Sequence, residues 1–477
     1  MSSKVVEVWV ADLTFPGYMD RLHRLAAEFG EAHPEYEIRI VGNDFRTLPQ
    51  KIAAAAAQGR APAIAECYFY ITQAARDLLN VDGAPLFTSV EAAIGGRDEI
   101  LGEPVVIDDI IPAVRDYYTY DGDLTSMPSV GTTSLLFANG DLADAAGIDE
   151  LPRTWFEVGQ ACDRLRGVAG LDHTITWANH GMFFQQALAA QGGLLADNDN
   201  GRSGRATRLD LASPQMLAWV SWWQRLHKDG HYLYTGGIPD WQGTFQAFAD
   251  QRVGLRITSS NDVNYMVHAA RQSDFDLRVT RFPDNADSAY EGNGIAGTSL
   301  WLANGLDEVT QEGALAFLQF LHNPVNAADQ HVTNSFLPIT NASFDLLEES
   351  EWFVDNPHHR AASDQLKTYP DTPGLTLDKI TPHGHPASRG ALFGDFAGVQ
   401  DVMTRAMGEV LSTGVDPAAR FIAATAEAQA LLDAYEADRA DGGPSAETSL
   451  RVEYFADAKP YSGADLENVV ALKRPTR

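Results

Sequence analysis

Short strand-like runs alternate with amphipathic helical segments at the start of the chain, and this alternation most limits the folds open to it. Strands are predicted over residues 5–10, 37–41 and 63–67. Helices are predicted between them, over 19–29 and 48–58, because apolar residues recur there on one helical face. Repeated strand–helix–strand units favour a parallel sheet with crossover helices.

The same alternation returns after residue 130, which indicates a second α/β unit. Further strands are predicted over 133–138, 253–258 and 299–303, and helices near Trp155, over 216–227 and 314–321, and from 398 to about 437. A chain of 477 residues is long enough for two domains. We therefore expect two α/β lobes, with the chain crossing between them more than once. The expected division is residues 1–131 and 295–333 for lobe 1, residues 132–294 and 334–440 for lobe 2, and residues 441–477 for a C-terminal tail.

The composition excludes some classes of partner. The chain has 35 Lys and Arg against 65 Asp and Glu, a formal net charge of −30, and such a surface repels nucleic acid and anionic membranes. No nucleic-acid partner is therefore expected. Solubility or a salty medium explains the charge equally well, and the charge of a small ligand stays open. Cys67 and Cys162 are expected to be buried free thiols rather than a disulfide.

The sequence contains no catalytic or cofactor-binding motif in the structural context that such a motif requires. Residues 292–297 spell GxGxxG, but they precede a predicted strand rather than the helix that a dinucleotide site requires. The histidines at 358, 359, 383 and 385 show no metal-ligand spacing. No P-loop, GxSxG or HExxH sequence occurs. The sequence therefore predicts no catalytic residue, no metal and no cofactor.

Three segments of the chain carry a family resemblance. The first, residues 6–65, has the strand and helix order described above. The second, residues 139–157, reads NGDLADAAGIDELPRTWFE. The third joins GTSLW at 297–301 with FLPIT at 336–340. Together they resemble the extracellular solute-binding proteins that feed ABC importers of sugars and glycerol phosphates, and the third is most similar to the glycerol-phosphate-binding branch.

This resemblance reaches to about residue 440 and implies a two-lobed α/β fold of the periplasmic-binding-protein type (type II), with hinge strands between the lobes. It implies a monomeric subunit that holds a carbohydrate or polyol ligand in the interlobe cleft and presents it to membrane permease subunits. Sugars suit such a cleft, because their polar edges need fixed hydrogen-bonding groups and their C–H faces need an apolar plate. An extracytoplasmic location is expected, periplasmic or at the cell surface, although residues 1–5 show no signal peptide.

The expected ligand-binding residues lie at strand ends and at the crossings between the lobes. In α/β sheets, ligands sit at the carboxyl ends of strands and at helix N-termini. From this rule and from the resemblance, the expected ligand contacts are Thr14, Phe45, Glu66, Phe69, Thr132, Trp177, Ser259, Ser260, Gly297, Thr298, Phe336, Arg389 and Phe396. Helix capping explains Thr14 equally well, and core packing is a close rival for Trp177. Strand alternation could equally point Glu66 away from the ligand.

The resemblance also shows where this chain differs from the glycerol-phosphate branch. Phe45 and Phe336 stand where those relatives bind ligand with tyrosine. Phe69 stands where they use glutamate, and Phe396 where an arginine clamps the phosphate. A more apolar or larger sugar, glycoside or polyol conjugate is therefore expected. Arg389 is close to the lost arginine, so an anionic group stays open if that side chain reaches the cleft.

Two other functions stay open at this point. A carbohydrate-active hydrolase would need two cleft carboxylates ~5–10 Å apart, and Glu66 and Asp395 are the candidates that the sequence offers. A sensor would instead present the closed lobes to a signalling partner. Turnover of glycosides distinguishes the hydrolase from a binding protein, and the neighbouring genes distinguish the sensor from a transport component.

Overall fold

The computed structural model describes residues 3–13, 15–236, 238–367, 387–444 and 450. Within these ranges the strands are β1 (Lys4–Asp12), β2 (Tyr36–Asp44), β3 (Ile64–Tyr68), β4 (Phe87–Thr88), β5 (Glu99–Ile100), β6 (Glu103–Pro104), β7 (Thr119–Tyr120), β8 (Asp123–Leu124), β9 (Met127–Thr132), β10 (Ser134–Asn139), β11 (Ile175–Thr176), β12 (Leu255–Ser259), β13 (Leu277–Arg281) and β14 (Ala296–Ala303).

The helices of the same ranges are α1 (Tyr18–Ala32), α2 (Leu48–Ala56), α3 (Thr72–Asp77), α4 (Val90–Ile94), α5 (Pro112–Tyr117), α6 (Gly140–Ala145), α7 (Trp155–Leu165), α8 (Gly181–Ala190), α9 (Asp197–Gly201), α10 (Pro214–Lys228), α11 (Trp241–Ala249), α12 (Val263–Ser273), α13 (Glu308–Leu321), α14 (Pro324–Asn334), α15 (Asn341–Glu349), α16 (Trp352–Asp355), α17 (Ala361–Lys367), α18 (Phe396–Thr413) and α19 (Pro417–Ala440). Short 3₁₀ segments lie at Phe69–Ile71, Ile107–Asp109, Ser260–Asp262 and Pro357–Arg360.

The first sheet has the strand order β2–β1–β3–β14–β4, and β9 also pairs with β14. β1 runs parallel to β2 in a ladder that begins with Lys4 opposite Tyr36 and ends with Asp12 opposite Asp44. β1 is also parallel to β3, so the prediction of parallel strands joined by the crossover helices α1 and α2 is confirmed. β14 runs antiparallel to β3 and brings the chain back into this sheet from the second one.

Helical spacing decides which face of α1 meets the sheet. Leu22, Leu25 and Phe29 recur at helical intervals, and all three are buried. The ring of Phe29 contacts Phe317 of α13 at 5.4 Å. The backbone N–H of His33 donates to the carbonyl of Phe29 and ends the helix. The apolar face that the sequence predicted therefore packs inward.

The second sheet has the strand order β11–β12–β10–β13. The chain passes from the first sheet to the second at Thr133, which separates the end of β9 from the start of β10. It returns after β13 into β14. The Thr133 hydroxyl donates to the carbonyl of Gly294 at 3.3 Å, so the two crossings lie side by side. The architecture is two-lobed, and the residue boundaries of the lobes given above stay a prediction.

Trp177, expected to stack on a ligand, lies in the core of the second lobe. Its side chain is 0% exposed. Its ring contacts Trp222 and Trp223 of α10 at 5.7 and 4.9 Å, and Tyr232 at 4.4 Å. The structure therefore places Trp177 in the core rather than in a cavity wall, and its contact with a ligand stays a prediction. The aromatic face of α10 must be covered, and the ring that follows β11 covers it.

The C-terminal helical pattern forms two helices rather than one. Gly414, with φ 74°, lies between α18 and α19. Leu450, within the expected tail, is fully buried. Cys67 and Cys162 are buried free thiols, as expected. No helix in the described ranges is both long and apolar enough to cross a membrane.

Replacing Trp177 with alanine is expected to lower the free energy of unfolding by about 3–5 kcal/mol, because it removes a buried ring and leaves a cavity. Urea unfolding followed by circular dichroism measures the change. Phe156→Ala is the matched control, since that ring is 70% exposed and its loss is expected to cost less than about 0.5 kcal/mol. A Trp177 variant as stable as the Phe156 variant would contradict the core assignment.

Candidate functional site

A cavity of about 430 Å³ lies between residues of the two sheets. Its lining consists of Asp12, Leu13, Phe15, Asp44, Phe45, Arg46, Tyr68, Phe69, Tyr70, Val130, Thr132, His180, Met182, Trp241, Ser259, Asn261, Asp262, Tyr265, Ala296, Gly297 and Phe336.

The first sheet contributes the carboxyl ends of its parallel strands. Asp12 ends β1 and stands in register with Asp44, which ends β2. Phe45 follows directly, and its ring lies 5.8 Å from that of Tyr68 at the end of β3. Parallel strands end at the same edge of a sheet, so residues far apart in sequence form one wall of the cavity.

The second lobe contributes helix N-termini and the end of β12. His180 is the N-cap of α8, and its Nδ1 accepts a hydrogen bond from the Met182 N–H at 3.1 Å. Trp241 begins α11. Its ring lies 5.2 Å from that of His180. Ser259 ends β12 and brings a hydroxyl to the same wall.

Eight aromatic side chains line the cavity among the described residues. Phe15 meets Phe336 edge to face at 5.8 Å and Tyr265 at 6.4 Å. Tyr68 and Tyr70 stack with their rings 5.3 Å apart and 16° from parallel. Rings packed in this way offer flat apolar surfaces at low entropic cost, and these surfaces can hold the C–H faces of a ligand.

Asp44 and Asp262, two acidic residues of the lining, have charged partners within the protein. Arg46 donates to the Asp44 carboxylate through its Nε at 2.8 Å, and this hydrogen bonding lowers the pKa of Asp44. Asp262 accepts a hydrogen bond from the buried Arg256 at 3.1 Å. Burial lowers the pKa of His180 to about 3, so its ring is neutral at neutral pH. Among the described lining residues, Arg46 is the one permanent cation, and it is paired.

Six expected ligand residues line the cavity, namely Phe45, Phe69, Thr132, Ser259, Gly297 and Phe336. Their contacts with a ligand stay predictions. Thr14 falls outside the described residues. Gly297 has φ 149°, and a Cβ there would lie 1.9 Å from the Val130 carbonyl oxygen. Only glycine fits at this position, and it lets β14 approach β9 beside the cavity.

Glu66 and Thr298 are buried inside the first sheet and do not line the cavity. The Glu66 carboxylate accepts hydrogen bonds from the Ala11 N–H at 2.8 Å and from the Thr298 hydroxyl. The hydroxyls of Tyr18 and Ser129 also bond to it. Burial raises the pKa of Glu66 and outweighs these hydrogen bonds, which lower it. Internal donors thus hold the carboxylate within the sheet, and a contact of Glu66 or Thr298 with a ligand stays a prediction.

Three other expected contacts also lie elsewhere. The Ser260 hydroxyl accepts a hydrogen bond from the Thr133 N–H at 3.1 Å and stabilises the crossing between the sheets. Phe396 is buried, with its ring 6.1 Å from that of Phe69. Arg389 belongs to a turn at 387–389 and lines a separate cavity.

The sequence analysis missed Tyr70, His180, Trp241 and Tyr265. Tyr70 lies just past the end of β3, within reach of the strand-end rule. Asp240 before Trp241 is an N-cap signal, so helix starts would have pointed to Trp241. Tyr265 lies inside α12, where spacing gives no sign that a residue faces a cavity rather than a core.

Comparison with known proteins places these features in context. The family model described as bacterial extracellular solute-binding protein matches residues 24–361. The chain is similar to the sn-glycerol-3-phosphate-binding periplasmic protein UgpB of Salmonella typhimurium, with 29% identity over 368 residues. That match covers 75% of this chain and 80% of the relative.

Solved structures share the fold. The sugar-binding protein MalE from Xanthomonas citri gives a TM-score of 0.71 at 16% identity and covers 92% of this chain and 100% of that one. UgpB from Mycobacterium tuberculosis in complex with glycerophosphocholine gives 0.64 at 20% identity and covers 91% and 99%. At these identities the likeness establishes the two-lobed α/β fold alone.

Replacing Glu66 with glutamine tests the buried carboxylate. Because burial raises the pKa of Glu66, the folded protein binds this proton more tightly than the unfolded chain, and stability falls as pH rises through the raised pKa. Glutamine does not titrate, so the Glu66→Gln variant lacks this pH-dependent loss of stability. Its melting temperature relative to the wild type is therefore expected to rise between pH 4 and pH 7, as measured by calorimetry.

The Glu66→Ala variant is the control for the hydrogen bonds. It leaves the Ala11 N–H buried without its acceptor, so it is expected to lose about 2–4 kcal/mol at both pH values. A Glu66→Gln difference that stays flat or falls with pH would contradict a raised pKa.

Proposed function

The chain belongs to the bacterial extracellular solute-binding protein family, and from that premise we propose that it is the substrate-binding subunit of an ABC importer. We propose that it captures a sugar, glycoside or polyol-like ligand in the cleft described above. Its location is extracytoplasmic, as in its periplasmic relatives. The membrane partners are the permease subunits of the importer.

The observation that carries this proposal is the mixed lining of the cavity. Aromatic rings provide apolar plates, and Thr132, Ser259 and Asn261 provide groups that exchange hydrogen bonds with hydroxyls. A volume of about 430 Å³ falls in the range of roughly 300–1,000 Å³ typical of small-molecule sites. A ligand with C–H faces and hydroxyl edges matches both features.

The charge of the lining favours a neutral ligand over a phosphate monoester. Asp12, Asp44 and Asp262 line the cavity, while Arg46 is already bonded to Asp44. A dianionic phosphate placed here would meet more negative than positive charge, with no unpaired cation among the described lining residues. Glycerol 3-phosphate, the ligand in the name of UgpB from Salmonella typhimurium, therefore fits this cleft less well than a related compound without a charge.

Capture follows from the two-lobed architecture. Both sheets line the cavity, and the crossings at Thr133 and Gly294 lie side by side. Rotation about two adjacent crossings closes the lobes on a ligand without breaking either sheet. The closed state then differs in shape from the open one, and the permease recognises that difference.

Binding without catalysis is the better reading of the carboxylates. Glu66 is held inside the first sheet, and Asp395 caps α18 by accepting a hydrogen bond from the Gly398 N–H at 3.1 Å. Neither lines the cleft. Incubation with glycosides is therefore expected to yield no hydrolysis product by chromatography, and turnover that requires Asp12 or Asp44 would support a hydrolase.

A thermal-shift screen tests the ligand class. Neutral sugars, glycosides and polyols are expected to raise the melting temperature, since a ligand at about 100 times its Kd adds about 2.7 kcal/mol of stability. Glycerol 3-phosphate is expected to stabilise the protein less than the best neutral compound. A screen in which glycerol 3-phosphate stabilises the protein most, with that stabilisation lost in the cleft variant Trp241→Ala, would contradict the charge argument.

Two variants test the cleft itself with the ligand that the screen identifies. Trp241→Ala removes an aromatic wall and Thr132→Ala removes a hydroxyl, so each is expected to weaken Kd by about tenfold or more, which is about 1.4 kcal/mol. Isothermal titration calorimetry measures Kd. Phe156→Ala, at an exposed ring, is the control and is expected to bind like the wild type. Equal affinity in all three variants would place the ligand elsewhere.

A further inference from the structure

A second cavity, of about 310 Å³, shares no lining residue with the interlobe cleft. Its wall is strongly charged and includes Arg76, Arg202, Arg205 and Arg389 together with Asp77 and Asp121. Four guanidinium groups meet here in a protein whose formal net charge is −30. A local concentration of positive charge in an acidic protein needs negatively charged groups to balance it.

Two of the four guanidinium groups have carboxylate partners within the protein. Arg76 pairs with Asp121 at 2.7 Å. Arg205 pairs with Asp77 at 2.6 Å and with Glu436 at 2.8 Å. These pairs stabilise the walls of the cavity. Arg202 and Arg389 take no part in them.

Arg202 is oriented by carbonyl dipoles instead of a carboxylate. Its Nε donates to the Gly390 carbonyl and its Nη1 to the Tyr117 carbonyl, both at 3.0 Å. Its Nη2 donates to the carbonyl of Arg389. The guanidinium also lies 4.9 Å from the centre of the Tyr120 ring. Within the described ranges it forms no ion pair, so its position is fixed while its charge is not neutralised.

Arg389 brings a second positive charge beside the first. Its Nε is buried and has no hydrogen-bond partner among the described residues. Burial lowers the pKa of Arg389 most, and the nearby charge of Arg202 lowers it further, while Asp116 raises it by attraction. In the described part of the chain, Arg389 forms no ion pair with a carboxylate, whereas Arg76 of the same cavity pairs with Asp121. The fold thus holds two like charges together in a concave surface.

We propose that this second cavity binds a phosphate dianion between the guanidinium groups of Arg202 and Arg389. Guanidinium groups match the oxygen spacing of phosphate and form paired, charge-assisted hydrogen bonds with it. A phosphate group carries about −1.5 to −2 charges at neutral pH, which balances two cations. The site is independent of the interlobe cleft, and it stands or falls separately from the proposed transport function.

Titration calorimetry with sodium phosphate at pH 7.5, in chloride buffer of matched ionic strength, tests the site. One phosphate per chain is expected to bind with saturable heat. Arg389→Gln removes the charge of a side chain whose buried Nε has no hydrogen-bond partner among the described residues, so it is expected to weaken phosphate binding at least about tenfold.

Arg46→Gln is the matched control, because it removes the cation of the interlobe cleft and is expected to leave phosphate affinity within about twofold. Loss of binding in Arg46→Gln with retention in Arg389→Gln would place the phosphate in the cleft and overturn the proposal. Absence of saturable heat in the wild type would also overturn it.

Circular dichroism checks that the Arg389→Gln variant is folded. If it is not, Arg389→Lys takes its place, since lysine keeps the charge but lacks the planar fork. That variant is expected to bind phosphate at least about threefold more weakly. Unchanged affinity in Arg389→Lys would overturn the role of the guanidinium.

Discussion

The pairing of β9 with β14 is the constraint on which the two-lobed architecture depends. The chain leaves the first sheet at the end of β9 and returns through β14, and Thr132 stands opposite Ala296 in that ladder. Gly297 permits the close approach, since any side chain there would collide with the Val130 carbonyl. Both crossings therefore lie at one place, and Thr132 and Gly297 bring that place into the wall of the cleft.

The two cavities differ in how their arginine side chains are paired, and this difference favours different ligands. In the interlobe cleft, the one cation among the described lining residues, Arg46, is bonded to Asp44. This pairing supports the proposal that the cleft selects its ligand by ring stacking and hydroxyl contacts. In the second cavity, Arg202 is held by carbonyl groups and Arg389 by no carboxylate. We therefore propose that one acidic protein binds neutral ligands in the first cavity and an anion in the second.

Sequence reasoning predicted the elements whose signals are local. The periodicity of α1 and the parallel strands β1 to β3 follow from spacing and connection length, and the strand-end rule led to Phe45 and Ser259 in the cleft. It did not indicate that Trp177 and Glu66 are buried away from the cleft lining, because facing a cavity or a core depends on distant neighbours. The rings of α10 enclose Trp177, and the Ala11 amide of another strand holds Glu66.

Small-angle X-ray scattering tests most directly whether the two lobes close on a bound ligand. The radius of gyration is measured with and without a saturating neutral ligand that binds one to one. We expect it to fall on saturation in the wild type, because rotation about the adjacent crossings brings the lobes together. A radius of gyration that is unchanged while calorimetry shows full occupancy would contradict capture by closure.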